Sequence, residues 1–222
     1  MCETSTPMTT YYPIMLQIKD KRCVVIGGGK VANRKVTSLL VAGANVTVIS
    51  PVLDEKLREK WQNHLITWHD KFFEASDLQN AFCIIAATNC PSVNAKVKEC
   101  ALPHQLVNIV DEASESNFIV PASLRRGDLT IAVSTAGANP GLAKKVKDDL
   151  THQFDDYYGE YVAFLQKART DVLANVSDVK EKKTLLDALL QPEFLTLTKE
   201  GKITEREELL QHYLKRGIAP WQ

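Results

Sequence analysis

At 222 residues the chain has room for one to two domains of about 150 residues each. Hydrophobic residues at 45% and charged residues at 24% give enough apolar surface to offset ordering entropy, which excludes a chain disordered throughout. Lysine plus arginine and aspartate plus glutamate both number 27, and zero net charge argues against nucleic-acid binding through a global positive field.

In chain order, residues 22–26 (RCVVI) form a short apolar run against three glycines, which predicts a strand buried on both faces and therefore parallel. Residues 30–42 carry Val31, Val36, Leu39 and Leu40 at helical spacing and end at Gly43, a suitable helix stop. Asn45–Ser50 predicts a second strand that Pro51 ends. Leu65–Trp68 predicts a weak third strand, Phe82–Ala87 a strong fourth, Ser92–Ala101 a helix and Leu106–Val110 a fifth strand. Strands alternating with helices imply βαβ units and a parallel sheet of Rossmann type, assigned to residues 1–113.

Beyond that point the pattern changes. Phe118–Val120 and Leu129–Ser134 read as strands separated by a turn at Arg125-Arg126-Gly127-Asp128, and Pro140 suits the first position of a helix. The expectation is a small α+β segment over 114–150. A helical C-terminal domain over 151–222 should be interrupted near Pro192 and Gly201.

No apolar run approaches the roughly 18 to 20 residues that span a bilayer. Met1-Cys2-Glu3-Thr4-Ser5 lacks the basic and apolar regions of a signal peptide, so a cytoplasmic chain with no membrane partner is expected. Cys2, Cys23, Cys83, Cys90 and Cys100 are odd in number and contain no Cys-x-x-Cys pair, which suits free thiols, buried where they fall in apolar strands. The histidines His64, His69, His104, His152 and His212 lack metal-ligand spacing, so no metal site is expected.

Gly27-Gly28-Gly29-Lys30-Val31-Ala32 matches G-x-G-x-x-A between a strand and a helix. Gly27 permits the tight turn, Gly29 lets the backbone approach a pyrophosphate, and Ala32 allows close packing of helix on strand. The helix start supplies free N–H groups for phosphate. Lys30 and Val31 join the glycines as cofactor-binding candidates. The alternative is a glycine-rich turn without a ligand. Ser50-Pro51-Val52 follows the second strand where the generic fingerprint has an acid, and Asp54 comes late; no arginine stands there to favour a 2′-phosphate. Thr88-Asn89 ends the fourth strand on the edge where such folds bind ligands, and is either a cofactor-side loop or a helix cap.

Asn108-Ile109-Val110-Asp111 puts a carboxylate at the end of the fifth strand, where it is either aimed into a cleft or used in a turn. Arg125 and Arg126 suit a solvated turn or bidentate binding of carboxylates. Ser134-Thr135-Ala136-Gly137-Ala138-Asn139-Pro140 precedes a helix with Lys144, Lys145 and Lys147, as capping or as a second anion site.

Tyr12-Pro13-Ile14, VVIGGGKVANRK (24–35), LVAGANVTVISP (40–51), IIAATN (84–89), NIVD (108–111), FIVPASLRRGDL (118–129) and IAVSTAGANPGLAKKVK (131–147) together resemble the precorrin-2 dehydrogenases of sirohaem synthesis. The likeness is nearly continuous from residue 12 to about 150; beyond that it rests on helical character alone. It implies NAD-dependent oxidation of precorrin-2 to sirohydrochlorin by a homodimer with a central dimerisation segment. It also implies a functional aspartate at Asp111 that accepts or relays a proton. The family's serine-rich loop falls on Ser134-Thr135-Ala136-Gly137, with threonine at the second position. Asn108, Arg125, Arg126, Ser134 and Thr135 become substrate-side candidates, because precorrin-2 carries eight carboxylates. The alternatives are a bifunctional enzyme that also inserts Fe²⁺ into sirohydrochlorin, and a non-enzymatic NAD(H)-binding redox sensor.

Overall fold

Five short runs rich in Val and Ile pair in parallel, in the order β3-β2-β1-β4-β5. They are β1 (Arg22–Ile26), β2 (Asn45–Ile49), β3 (Thr67–His69), β4 (Cys83–Ala86) and β5 (Leu106–Ile109). The computed structural model describes residues 10–110 and 112–216; within it the chain divides into two compact units, one ending at Val120 and one beginning at Pro121. The continuous hydrophobicity of β1 has the expected cause. Cys23 and Val25 enter one core with Val36, Val48 and Leu57, while Val24 and Ile26 enter another with Ile84 and Val97.

The helix α1 (Lys30–Val41) covers the first core with Ala32, Val36 and Leu39. A second helix on this side, α2 (Glu55–Gln62), is absent from the sequence-based reading, because Leu57 is its one buried residue and the rest is charged or polar. The third strand starts two residues later than its apolar pattern predicts. His64 in the left-handed region (φ 57°) and a bond from Leu65 N to Lys60 O close the end of α2 first. On the other face, α3 (Pro91–Cys100) follows β4, and the crossover from β3 to β4 holds a single 3-10 turn, Ala75–Leu78. Cys23 and Cys83 face each other across the β1–β4 ladder as free, buried thiols. Donation of its S–H to Cys23, then burial, pushes the Cys83 thiol well above its usual range.

Two expectations are corrected after residue 113. Phe118–Val120 is not a strand: Asn108 Nδ2 donates to the Phe118 carbonyl at 3.1 Å and Asn117 Oδ1 accepts from Val107 N at 2.7 Å. Side chains thus take the bonds a neighbouring strand would supply. Arg125 and Arg126 are not in the turn either. They end β6 (Ala122–Arg126), which pairs antiparallel with β7 (Leu129–Val133) around a tighter turn made by Gly127 (φ 55°) and Asp128.

The helix α4 (Pro140–Gln153) packs on the hairpin, in which Leu124 is buried, and Pro140 does open it. The helices α5 (Tyr157–Asn175), α6 (Val179–Ala188), α7 (Pro192–Lys199) and α8 (Ile203–Arg216) enclose their own core, in which Phe194 stacks on Phe164 with centroids 5.4 Å apart. Breaks occur at Pro192 and Gly201 as expected, and also around Asp156 and Asp178. Asp178 caps α6 by accepting from Glu181 N at 2.8 Å.

Candidate functional site

The loop between β1 and α1 is held from both neighbouring strands. Gly27 N donates to Ile49 O of β2 at 2.9 Å, and Ala87 N donates to Ile26 O at 2.8 Å. Gly27 adopts φ 115°, and a Cβ there would lie 2.3 Å from the Ala87 carbonyl oxygen. At Gly28 a Cβ would lie 1.9 Å from Val52 O and 2.7 Å from Ser50 Oγ, a requirement the fingerprint alone does not reveal. Gly29 differs from both. Its backbone is extended (φ −89°, ψ −173°), it is exposed, and a Cβ would meet nothing within 4 Å.

Gly29 is also the N-cap of α1, and no side chain among the described residues caps this helix start. The amides of Lys30, Val31 and Ala32, in the first turn, have no carbonyl partner within the helix, and the place of a Gly29 side chain is open space. Orphan amides, the helix dipole and a missing Cβ are what a pyrophosphate requires, so these residues fit a nicotinamide dinucleotide.

The β2 side of the cleft is built by Ser50, whose Oγ donates to Val52 O at 2.8 Å. The Ser50 carbonyl accepts from Trp68 Nε1 at 2.8 Å. Pro51 and Val52 stand exposed beyond it. Asp54 does not substitute for the absent acid: it accepts from Lys56 N and Leu57 N as the cap of α2, while its own amide donates to Gly28 O at 2.7 Å. Trp68 escaped the sequence reading because it looks like an ordinary strand residue; its position opposite Val48 in the sheet is what brings it under Ser50.

On the β4 side, Thr88 and Asn89 lie just beyond the strand, with Asn89 exposed and Thr88 half-buried. Cys90, the exposed N-cap of α3, has its thiol held below the usual range by a hydrogen bond from Ser92 and then by the Val93 amide.

Asn108 is buried, with its amide spent on Phe118. Asp111 lies outside the described residues. In the second unit the two arginines part company. Arg125 is exposed and donates to Gly127 O, whereas Arg126 points inward, donating from Nε to Phe154 O at 3.0 Å and pairing with Asp156. Ser134 Oγ accepts from Ala136 N. Thr135 Oγ1 donates to Asn139 O at 2.9 Å and accepts from Asn139 N at 3.1 Å. Asn139 then caps α4 through Leu142 N, and Lys144 and Lys145 are exposed on that helix.

Residues 14–122 match a family model described as putative NAD(P)-binding, and residues 126–153 match one described as sirohaem biosynthesis protein central. A precorrin-2 dehydrogenase of Priestia megaterium is 33% identical over 198 residues, which is 89% of this chain and 98% of that protein. One from Bacillus subtilis is 34% identical over 151 residues, covering 68% of this chain and 91% of its own. A siroheme synthase of Nitrosococcus oceani is 32% identical over 96% of this chain but only 46% of the longer protein. The solved structure of SirC, a precorrin-2 dehydrogenase, superimposes with a TM-score of 0.76 at 31% identity, covering 89% of this chain and all of that one. A Rossmann-type sheet, a small antiparallel pair and a helical end are thus shared along nearly the whole length, and the chain belongs to the precorrin-2 dehydrogenase family.

Proposed function

We propose that this chain oxidises precorrin-2 to sirohydrochlorin with NAD as hydride acceptor, as a cytoplasmic homodimer. The observation that carries the reading is the uncapped helix start at Gly29, where a Cβ would meet nothing within 4 Å, in a chain one-third identical to a precorrin-2 dehydrogenase over nearly all of that enzyme. The amides opening α1 hold the pyrophosphate, Ser50, Pro51 and Val52 flank the adenosine ribose, and Thr88 and Asn89 line the far wall. The nicotinamide ring, when bound, supplies the two-electron acceptor.

Oxidation removes one hydride and one proton from the tetrapyrrole, and Asp111 takes or relays that proton. Arg125, Ser134 and Thr135, with Lys144 and Lys145, recognise substrate carboxylates; charge-assisted bonds of this kind serve a polyanionic ligand even where net charge is zero. Arg126 and Asn108 each act by holding the backbone of their own unit, since their polar groups are spent within the fold.

The test is anaerobic incubation of the pure protein with precorrin-2 and NAD⁺, following NADH and sirohydrochlorin by absorbance. Stoichiometric appearance of both supports the reading; NAD binding without reaction rejects the substrate. A parallel series with NADP⁺ tests the cofactor choice. The match to siroheme synthases favours a second reading, insertion of Fe²⁺ into the product, which loss of the sirohydrochlorin spectrum on adding Fe²⁺ would reveal.

A further inference from the structure

Asn94 sits in the interior of α3, where alanine would form the helix better and an amide would ordinarily reach for water. It is instead 9% exposed and turned back over the helix start. Its Oδ1 accepts from Thr88 Oγ1 at 2.7 Å, and its Nδ2 donates to the Thr88 carbonyl at 3.2 Å. Thr88 Oγ1 in turn accepts from Cys90 N at 3.1 Å. One buried side chain therefore fixes both the peptide plane and the hydroxyl of a single loop residue.

The place of that residue gives the contact its meaning. The β1–β4 pairing ends with Ala87 N on Ile26 O, so the ladder no longer dictates the course of the chain at Thr88. Yet Ala87 O and Thr88 N are the atoms against which Gly27 packs, 2.3 and 3.3 Å from where its Cβ would be. In the order β3-β2-β1-β4-β5 the chain leaves β1 and β4 in opposite directions, and the crevice between them is where ligands of open parallel sheets bind. We infer that Asn94 is a positioning residue of the dinucleotide site: through Thr88 it holds the β4 wall against the glycine loop and sets the width of the crevice. The inference rests on the reading that this crevice takes the nicotinamide cofactor.

Asn94→Asp keeps the acceptor for the Thr88 hydroxyl but sets a carboxylate oxygen against the Thr88 carbonyl. Thr88→Val removes the hydroxyl at nearly constant shape. NAD⁺ is titrated calorimetrically into the wild type, both variants and the double variant, each with a thermal melt. KM for NAD⁺ and kcat are then measured with precorrin-2. Asn94→Asp should weaken NAD⁺ binding about tenfold and raise KM in step, with kcat at saturating NAD⁺ within about twofold of wild type. The two substitutions should be non-additive, because they break one network.

A lowered melting temperature with unchanged NAD⁺ affinity in both variants would make Asn94 a purely structural residue and overturn the inference. Should Asn94→Asp fail to fold, Asn94→Ala, which removes both bonds to Thr88 while favouring the helix, decides by the same titration. Failure of the wild type to bind NAD⁺ would reject the cofactor reading itself, and the inference with it.

Discussion

Gly28 and Val52 are in contact through their backbones: a Cβ on Gly28 would stand 1.9 Å from the Val52 carbonyl oxygen, while one on Gly29 would meet no atom within 4 Å. Adjacent glycines of one motif thus serve different purposes. Gly27 and Gly28 are demanded by the protein's own packing, and Gly29 by what the protein binds.

Substitution should separate the two. Gly29→Ala should cost no more than about 1 kcal/mol of stability, the usual difference between glycine and alanine at an N-cap. Its NAD⁺ affinity should nevertheless fall at least about tenfold, because the methyl group enters the phosphate space. Gly28→Ala should destabilise by about 3 kcal/mol through overpacking against Val52. Chemical denaturation and calorimetric titration read the pair; equal loss of stability in both variants would contradict the distinction.

Cys90 should report on the same cleft. With its thiol held below the usual range, the thiolate is populated at lower pH than in an ordinary cysteine, so iodoacetamide alkylation should reach half its maximal rate at lower pH. Cys23 and Cys83 should stay unmodified in the folded protein because both are buried. NAD⁺ should slow the reaction at Cys90, next to Asn89. Site-resolved mass spectrometry provides the check, and a midpoint at or above that of a free cysteine would refute the expectation.

Arg125 and Arg126 should differ although they are neighbours. Arg126→Ala loses the bond to the Phe154 carbonyl and should destabilise the second unit by about 1 to 2 kcal/mol. Its pair with Asp156 adds little, since that carboxylate is 94% exposed. Arg125→Ala should change stability by less than about 0.5 kcal/mol but raise KM for precorrin-2. Guanidinium melts and steady-state kinetics decide; a large stability loss at Arg125 would reverse the assignment.

Asp111→Ala should leave NAD⁺ affinity unchanged and lower kcat by about a hundredfold, the ordinary contribution of a positioned acid or base. Turnover at the wild-type rate would remove Asp111 from the mechanism.

The parallel sheet was legible because FCIIAA and NVTVIS are too apolar to lie anywhere but between two covered faces. The helix α2 was not, because a sequence such as EKLREKWQ carries almost no apolar period; the readable signal was Asp54 at its cap. Local pattern misplaced Arg125 and Arg126 because the pair Arg-Gly marks the neighbourhood of a turn without fixing which residues lie in it. In the site, Gly27, Gly28 and Gly29 were readable as a set, but their division of labour depends on Val52 and Ala87, which only the tertiary fold brings near. Trp68 acts through one hydrogen bond to a backbone carbonyl and Asn94 through two bonds to Thr88, and no spacing rule announces such contacts.

Strand order also bears on how the protein is made. The crevice has β1 as one wall and β4 as the other, and α1, β2, α2 and β3 all come between them in the chain. A ribosome therefore extrudes the glycine loop four elements before the wall it must lean on. A nicotinamide cofactor cannot act as a template for the nascent chain; its stabilising effect by mass action begins only when β4 has docked. Ligand binding is then the last fastener of this unit, and truncations that end before Cys83 should be unresponsive to cofactor however intact their fingerprint.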